Sequence, residues 1–282
     1  MLPPPTPIVR YLLILNAIIF AVVVLPGQLG YNLAIEEKLA LYYWTSDNFR
    51  PYQLLSHFFM HADFGHIFFN LLVLYFFGPE LETRLGGVRF LILYFLAAFG
   101  AVGLHLGQIW WQVSESEAAM LAFSVEPSLA NFNAFWSGVD LEGYSIYGRA
   151  MQVVVGETQN DLVMLKDPSL AIAEATKLMQ EYTWLQENSR MVGASGAISG
   201  VMAAYAVFYP WKEIHMLFIP FGIPALFLIG GTFLADLFLG IMDYNYDTTA
   251  RFAHVGGGIV GALLALVWRK TVLPPWLKRI DK

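Results

Sequence analysis

The sequence predicts an all-α polytopic membrane protein: six transmembrane helices in one bundle, carrying a partly helical extracytoplasmic insertion. Three observations lead there. Of 282 residues, 57% are hydrophobic and only 13% charged, whereas soluble domains carry about 25% charged residues. The apolar residues fall in long runs separated by short polar stretches, the pattern of helices that cross a bilayer. One long polar segment, 112–191, breaks that alternation and has helical spacing of its own.

The six spans are read as follows. The first, 8–25, is closed by Pro26 and Gly27; no small-x-small cleavage site precedes Gly27, so it is taken as a retained span rather than a signal peptide. The second, 64–77, stops before Gly78 and Pro79, and the third, 88–109, ends at Trp110 and Trp111. The fourth is 196–209, stopped by Pro210; the fifth is 214–242, interrupted by Pro220 and Pro224; the sixth is 251–268. The second and fourth fall short of the ~20 residues a span needs. A short helix is tolerated where its start lies below the membrane surface in a protein-lined cavity. Both carry polar residues near their starts, His66 and Asn70 in one and Ser195 in the other.

Basic residues set the orientation. With a cytoplasmic N-terminus, the cytoplasmic side collects Arg10, Arg84, Arg89, Lys212, Arg269, Lys270, Lys278, Arg279 and Lys282; the short outer loops hold Lys38, Arg50 and Arg251. Both termini are therefore expected in the cytoplasm. Residues 1–111 form three helices and the loop between the first two, 112–191 the outer insertion, and 192–282 the remaining helices and tail, with 111 and 192 joined in one domain. In the insertion, Ser114 and Glu117 have capping-box spacing. Asp167-Pro168 opens a helix in which Ala171, Ala175, Leu178, Tyr182 and Leu185 share a face. This reads as a small helical cap. A net charge of −6 argues against nucleic acid as a partner. The absence of cysteine excludes disulfides and thiolate catalysis.

Three segments could carry chemistry. The fourth span opens Gly193-Ala194-Ser195-Gly196-Ala197-Ile198-Ser199-Gly200. Gly196 and Gly200 are a small-residue packing pair, which alone accounts for the segment; the functional reading is a serine at a helix N-terminus, where amide groups favour developing negative charge. The sixth span carries His254, costly inside a membrane and hence a functional candidate, followed by Gly257 and Gly261. Glycines on both helices let the backbones approach until His254 reaches Ser195, and a hydroxyl needs such a base. The third segment holds His61, His66 and Asn70. His66 and Asn70 share a helical face and could donate to an oxyanion; His61, Asp63 and His66 could instead ligate a metal.

Taken together, the GASG at 193–196, the AH at 253–254 with Gly257 and Gly261, and His61, His66 and Asn70 resemble the signature motifs of the rhomboid intramembrane proteases, in family order. Gly78, Glu82 and Gly86 followed by Arg89-Phe90 resemble that family's cytoplasmic turn. The resemblance implies a six-helix core and a serine endopeptidase that cuts membrane-anchored substrates within the bilayer. Ser195 would be the nucleophile and His254 the base of a dyad without a third acid. The oxyanion hole would comprise the Ser195 amide, His66 and Asn70, with His61, Gly193, Gly196, Gly257 and Gly261 in support. No metal or other cofactor is implied. The fifth helix and the loop from Met242 to Ala250 would form a mobile gate and cap, with Asp243 and Asp247 as solvated loop charges. Asp236 is the one acid within the fifth span, read as bonding a neighbour. One departure stands out: many members place an aromatic four residues after the serine, where this chain has Ser199. The competing class is a rhomboid-like pseudoprotease that binds or chaperones membrane proteins; a channel or transporter would show more charge at the midplane. The expected location is a bacterial inner membrane. Neither the substrate nor the oligomeric state is encoded legibly.

Overall fold

The computed structural model describes residues 4–31, 35–139, 141, 144–146, 148–164, 167–215, 220–242 and 250–272. Asp243, Asp247, Lys278, Arg279 and Lys282, with loop residues 243–249, lie outside them. Helix α1 spans Pro7–Gln28 and includes a π-helical stretch at Phe20–Val24. Its first turn is capped from elsewhere in the chain. The backbone amides of Ile8 and Val9 donate to the Glu82 carboxylate at 3.1 and 2.9 Å, and the Thr6 hydroxyl donates to the same group. Two orphan amides of a helix start are thereby satisfied.

Glu82 belongs to α2, Phe64–Leu85, which is 22 residues long and runs through Pro79. The expectation of a short second span ending before Gly78 is thus corrected. A proline interrupts the hydrogen-bond ladder but need not end a helix whose later turns are held by tertiary contacts. Here Leu81 and Leu85 are buried, and Glu82 clasps α1.

Helix α3, Gly87–Val125, has 39 residues. It does not stop at Trp110 and Trp111, and Ser114 and Glu117 lie within it rather than capping a new helix. At 1.5 Å per residue it is about 58 Å long, nearly twice the ~30 Å hydrocarbon core. The projecting part continues as a helix because Phe123 is buried in the insertion's cluster, the Ser116 hydroxyl bonds Gln186 of the insertion, and Val113 packs with Tyr43 of the loop between α1 and α2. That insertion comprises α4 (Leu129–Trp136), α5 (Met151–Met164) and α6 (Pro168–Glu187), with a short hairpin pairing Ser145–Ile146 to Arg149–Ala150. Asp167 caps α6 by accepting from the Leu170 amide at 3.1 Å, as the Asp-Pro pair predicts. Phe123, Phe132, Trp136, Met151, Ala175 and Tyr182 join in a hydrophobic cluster separate from that of the bundle.

Helix α7 is Ser195–Phe208, only 14 residues and buried along most of its length. Of the fifth span expected over 214–242, residues 214, 215 and 220–224 are not helical. Glu213–Ile214 pairs antiparallel with Ile223–Pro224, and α8 begins only at Ala225, running Ala225–Met242. Proline lacks an amide donor and biases the residue before it away from helix, so Pro220 and Pro224 set the hairpin instead. Helix α9 is Arg251–Arg269.

Among the described residues, five helices (α1, α2, α3, α8 and α9) are long and apolar enough to cross a membrane; α7 is apolar but shorter. Their outward faces expose large apolar side chains, among them Val22, Phe69, Leu234, Phe238, Leu263 and Val267. In water such a surface would be costly; in lipid it is the expected one. Helix α7 sits centrally against α3 and α9, and small residues permit the approach. A Cβ added to Gly257 would lie 2.0 Å from the Gly196 carbonyl oxygen, and one added to Gly261 would lie 2.2 Å from that of Gly200. Helix α8 is the outermost, with only Ala225 and Ile229 of its residues buried.

Candidate active site

Ser195 is the first residue of α7, preceded by a turn that the loop between α1 and α2 holds in place. Leu41 and Met191 exchange two backbone hydrogen bonds of 2.9 and 2.8 Å, and the Gly193 amide donates to the His57 carbonyl at 2.9 Å. Gly193 has φ +120°, and a Cβ there would fall 2.8 Å from both Cε1 and Nε2 of His66. Conformation and space both require glycine at this point. The same point lies 3.5 Å from Ser195 Oγ, so Gly193 brings the serine hydroxyl and the His66 ring to either side of a narrow backbone turn.

The His66 ring is oriented from behind. Its Nδ1 accepts a long hydrogen bond from the Ala62 amide at 3.4 Å, which leaves the proton on Nε2, the edge that meets the Ser195 turn. One helical turn on, Asn70 is buried, and its Nδ2 donates to no acceptor among the described residues. A buried donor without a partner is rare enough to require a reason. His66 and Asn70 sit on one face of α2, and α7 starts with its own unpaired amides. The arrangement offers several N–H donors to an anionic oxygen.

His61 and Asp63 are placed differently. His61 is buried, its Nδ1 lies 3.3 Å from the Phe59 carbonyl, and its ring meets that of His66 edge-on at 5.2 Å. Burial pushes its imidazole down to about 4. Asp63 is the N-cap of α2, accepting from the His66 amide at 2.8 Å. No three His, Asp or Glu residues among those described gather as metal ligands.

His254 lies in the first turn of α9, next to Ala253, whose carbonyl is 3.6 Å from the position a Gly196 Cβ would take. Ser195 and His254 therefore flank the contact between α7 and α9. Nδ1 of His254 is 3.1 Å from Asp236 Oδ2, and Asp236 Oδ1 accepts from Arg251 at 2.9 Å. Ser199 is buried on α7, one turn from Ser195. Two polar residues near this region, His57 and His105, carry no signal in the sequence. His57 is fully buried with Nδ1 2.6 Å from the Gln53 carbonyl, burial pushes it down to about 4, and its carbonyl holds Gly193. His105 is buried on α3 with neither nitrogen bonded among the described residues. Asp236, expected as the one acid of the fifth span to bond a neighbour, meets a histidine on another helix, a pairing with no signature in the sequence.

A buried short helix opening on serine, and a second helix pressed against it at glycines and opening on histidine, define a helical membrane protein with a polar site inside its bundle. The family model described as Rhomboid domain matches residues 48–119 and 170–271. The chain belongs to the rhomboid family. It is also similar to a protein named "Putative rhomboid protease YdcA" from Bacillus subtilis (strain 168), 30% identical over 106 residues. That match covers 34% of this chain and 47% of the relative, so the chain spans about half the length of the curated protein it matches.

Proposed function

We propose that this rhomboid protein is an intramembrane serine endopeptidase that hydrolyses peptide bonds in or near the transmembrane segments of other membrane proteins. The observation that carries the proposal is the buried Asn70 Nδ2, without an acceptor among the described residues and one helical turn along α2 from His66, whose Nε2 edge meets the turn before the serine helix. Such donors are worth little to packing and much to an oxyanion.

In the proposed reaction, His254 Nε2 takes the Ser195 proton while Oγ bonds to the scissile carbonyl carbon. The carbonyl oxygen becomes an oxyanion, held by the Ser195 amide, His66 Nε2 and Asn70 Nδ2. His254 then protonates the leaving amine as the C–N bond breaks, and water reverses the sequence to release the acyl group. Substrates enter from the bilayer past α8, the least buried helix of the bundle. Both termini are assigned to the cytoplasm of a bacterial inner membrane, which places Ser195 and the insertion on the outer side. Gly193, Gly196, Gly257 and Gly261 serve geometry rather than chemistry, and His61 buttresses His66.

The test is labelling with a fluorophosphonate, which reacts only with an activated serine. The adduct is expected on Ser195, absent in Ser195→Ala and strongly slowed in His254→Ala. No adduct on folded wild-type protein would overturn the protease reading in favour of a binding or chaperone role.

A further inference from the structure

We propose that Asp236 on α8 is a positioning residue for the catalytic base: it fixes the tautomer and orientation of His254, so that the hydrolytic centre is a Ser195–His254–Asp236 relay rather than a bare dyad. The proposal rests on the protease reading above.

The geometry is specific. His254 Nδ1 stands 3.1 Å from Asp236 Oδ2. An ionised carboxylate only accepts hydrogen bonds, so Nδ1 carries a proton and the lone pair of the ring is left on Nε2. That is the tautomer a general base requires. The other carboxylate oxygen, Oδ1, accepts from Arg251 Nη1 at 2.9 Å. The two carboxylate oxygens are thus divided between two partners one helical turn apart on α9. Arg251 holds the carboxylate in position, so that its second oxygen stays with the histidine. All three side chains are about four-fifths buried, at 19–21% exposure, so screening by water is reduced. An acid is otherwise hard to account for here, since its helix is one of the most apolar in the chain and a carboxylate in a span demands a partner or a purpose.

During acylation the Ser195 proton moves to Nε2, the Oγ–carbon bond forms, and the carbonyl π pair moves to oxygen. The imidazole becomes a cation between that oxyanion and Asp236. Asp236 keeps its charge and accepts the Nδ1–H bond throughout, and the proton on Nε2 leaves with the amine. Stabilisation of the imidazolium is thus felt in the transition state and little in the ground state, which is the condition for acting on turnover.

Saturation kinetics of fluorophosphonate labelling separate reactivity (kinact) from probe binding (KI). Asp236→Asn keeps the shape of the side chain. It is expected to lower kinact by at least ~10-fold with KI within about twofold; loss of the acid from a complete triad costs up to ~10⁴-fold. Arg251→Gln, which spares the Asp236–His254 bond, is expected to cost less than Asp236→Asn. A second measurement does not depend on the folding of any Asp236 variant: the 15N shifts of [15N]histidine-labelled wild type, with His254 assigned by its loss in His254→Gln, are expected to report the Nδ1–H tautomer. An unchanged kinact in folded Asp236→Asn, an equal loss in Arg251→Gln, or an Nε2–H tautomer of His254 would overturn the inference while leaving the protease reading intact. Absence of any Ser195 adduct in wild type would overturn both.

Discussion

Substituting Gly257 tests how closely the helices that carry Ser195 and His254 are held. The Cβ of Gly257→Ala would lie 2.0 Å from the Gly196 carbonyl oxygen and 2.8 Å from its carbonyl carbon. Ordinary contact begins near 3.4 Å. The obstructing atoms are backbone, so no side chain can swing aside. The α7 and α9 backbones must part by roughly 1.4 Å at this level, which follows from those two distances, and a neighbouring Gly196 and Ala253 carry Ser195 and His254 with them. A displacement of ~1 Å between reacting groups costs on the order of 10²-fold in rate, and overpacking costs ~1–3 kcal/mol of stability. The purified variant in detergent should therefore label at Ser195 about 100-fold more slowly than wild type, with a thermal midpoint lower by several degrees, and Gly257→Val should be worse on both counts. Wild-type labelling in Gly257→Ala would refute the claim that this contact sets the serine–histidine geometry.

Other consequences follow from the same structure. If Asn70 and His66 form the proposed oxyanion hole, Asn70→Ala and His66→Ala should each lower kcat by ~10²–10³-fold with smaller changes in KM, because such donors act on the oxyanion rather than the bound substrate; steady-state kinetics on a cleavable peptide read the split, and a pure KM effect would contradict the assignment. His57 and His61, held down to about 4 by burial, stay neutral in the fold while the unfolded chain takes up protons near 6.5. Stability should then be full above about pH 6.5 and decline as pH falls towards 4, and His57→Gln should weaken that slope if it folds; a flat thermal midpoint over this interval would contradict the burial argument. Replacing the insertion 112–191 by a Gly/Ser linker would cut α3 short and remove α4 to α6. If the insertion selects substrates by their outer segments, cleavage of full-length substrate should fall while a minimal transmembrane peptide is still cut; equal losses would leave it a structural cap.

Much of the bundle was legible because apolarity alone dictates which segments enter lipid. Helix limits were less so. The Ser-x-x-Glu pattern at 114–117 has the spacing of a cap, yet it lies within α3, because Phe123 with Ala119 and Met120 has an insertion core to pack against and nothing obliges the helix to stop. Pro79 looked like a terminator and Pro220 and Pro224 like interruptions. The first is tolerated because Leu81, Glu82 and Leu85 anchor the turn beyond it, whereas Pro224 lies in the second strand of a strand pair and Pro220 between its two strands. Within the candidate site, Ser195, His254, His66 and Asn70 were found by spacing and by their cost in a membrane. Asp236 is 18 residues from His254 on a separate helix, and His57 acts through its carbonyl. Neither leaves a periodic or motif signal, since both roles arise only once helices and loops are packed.

The central claim is that Ser195 cuts peptide bonds of membrane-anchored proteins. The most direct test is to reconstitute wild type and Ser195→Ala in liposomes with a panel of single-span substrates and identify the products by intact mass. Wild type is predicted to release fragments from one or more substrates, cut within or beside the transmembrane segment, and Ser195→Ala to release none. Identical fragments from a clean Ser195→Ala preparation would contradict the account.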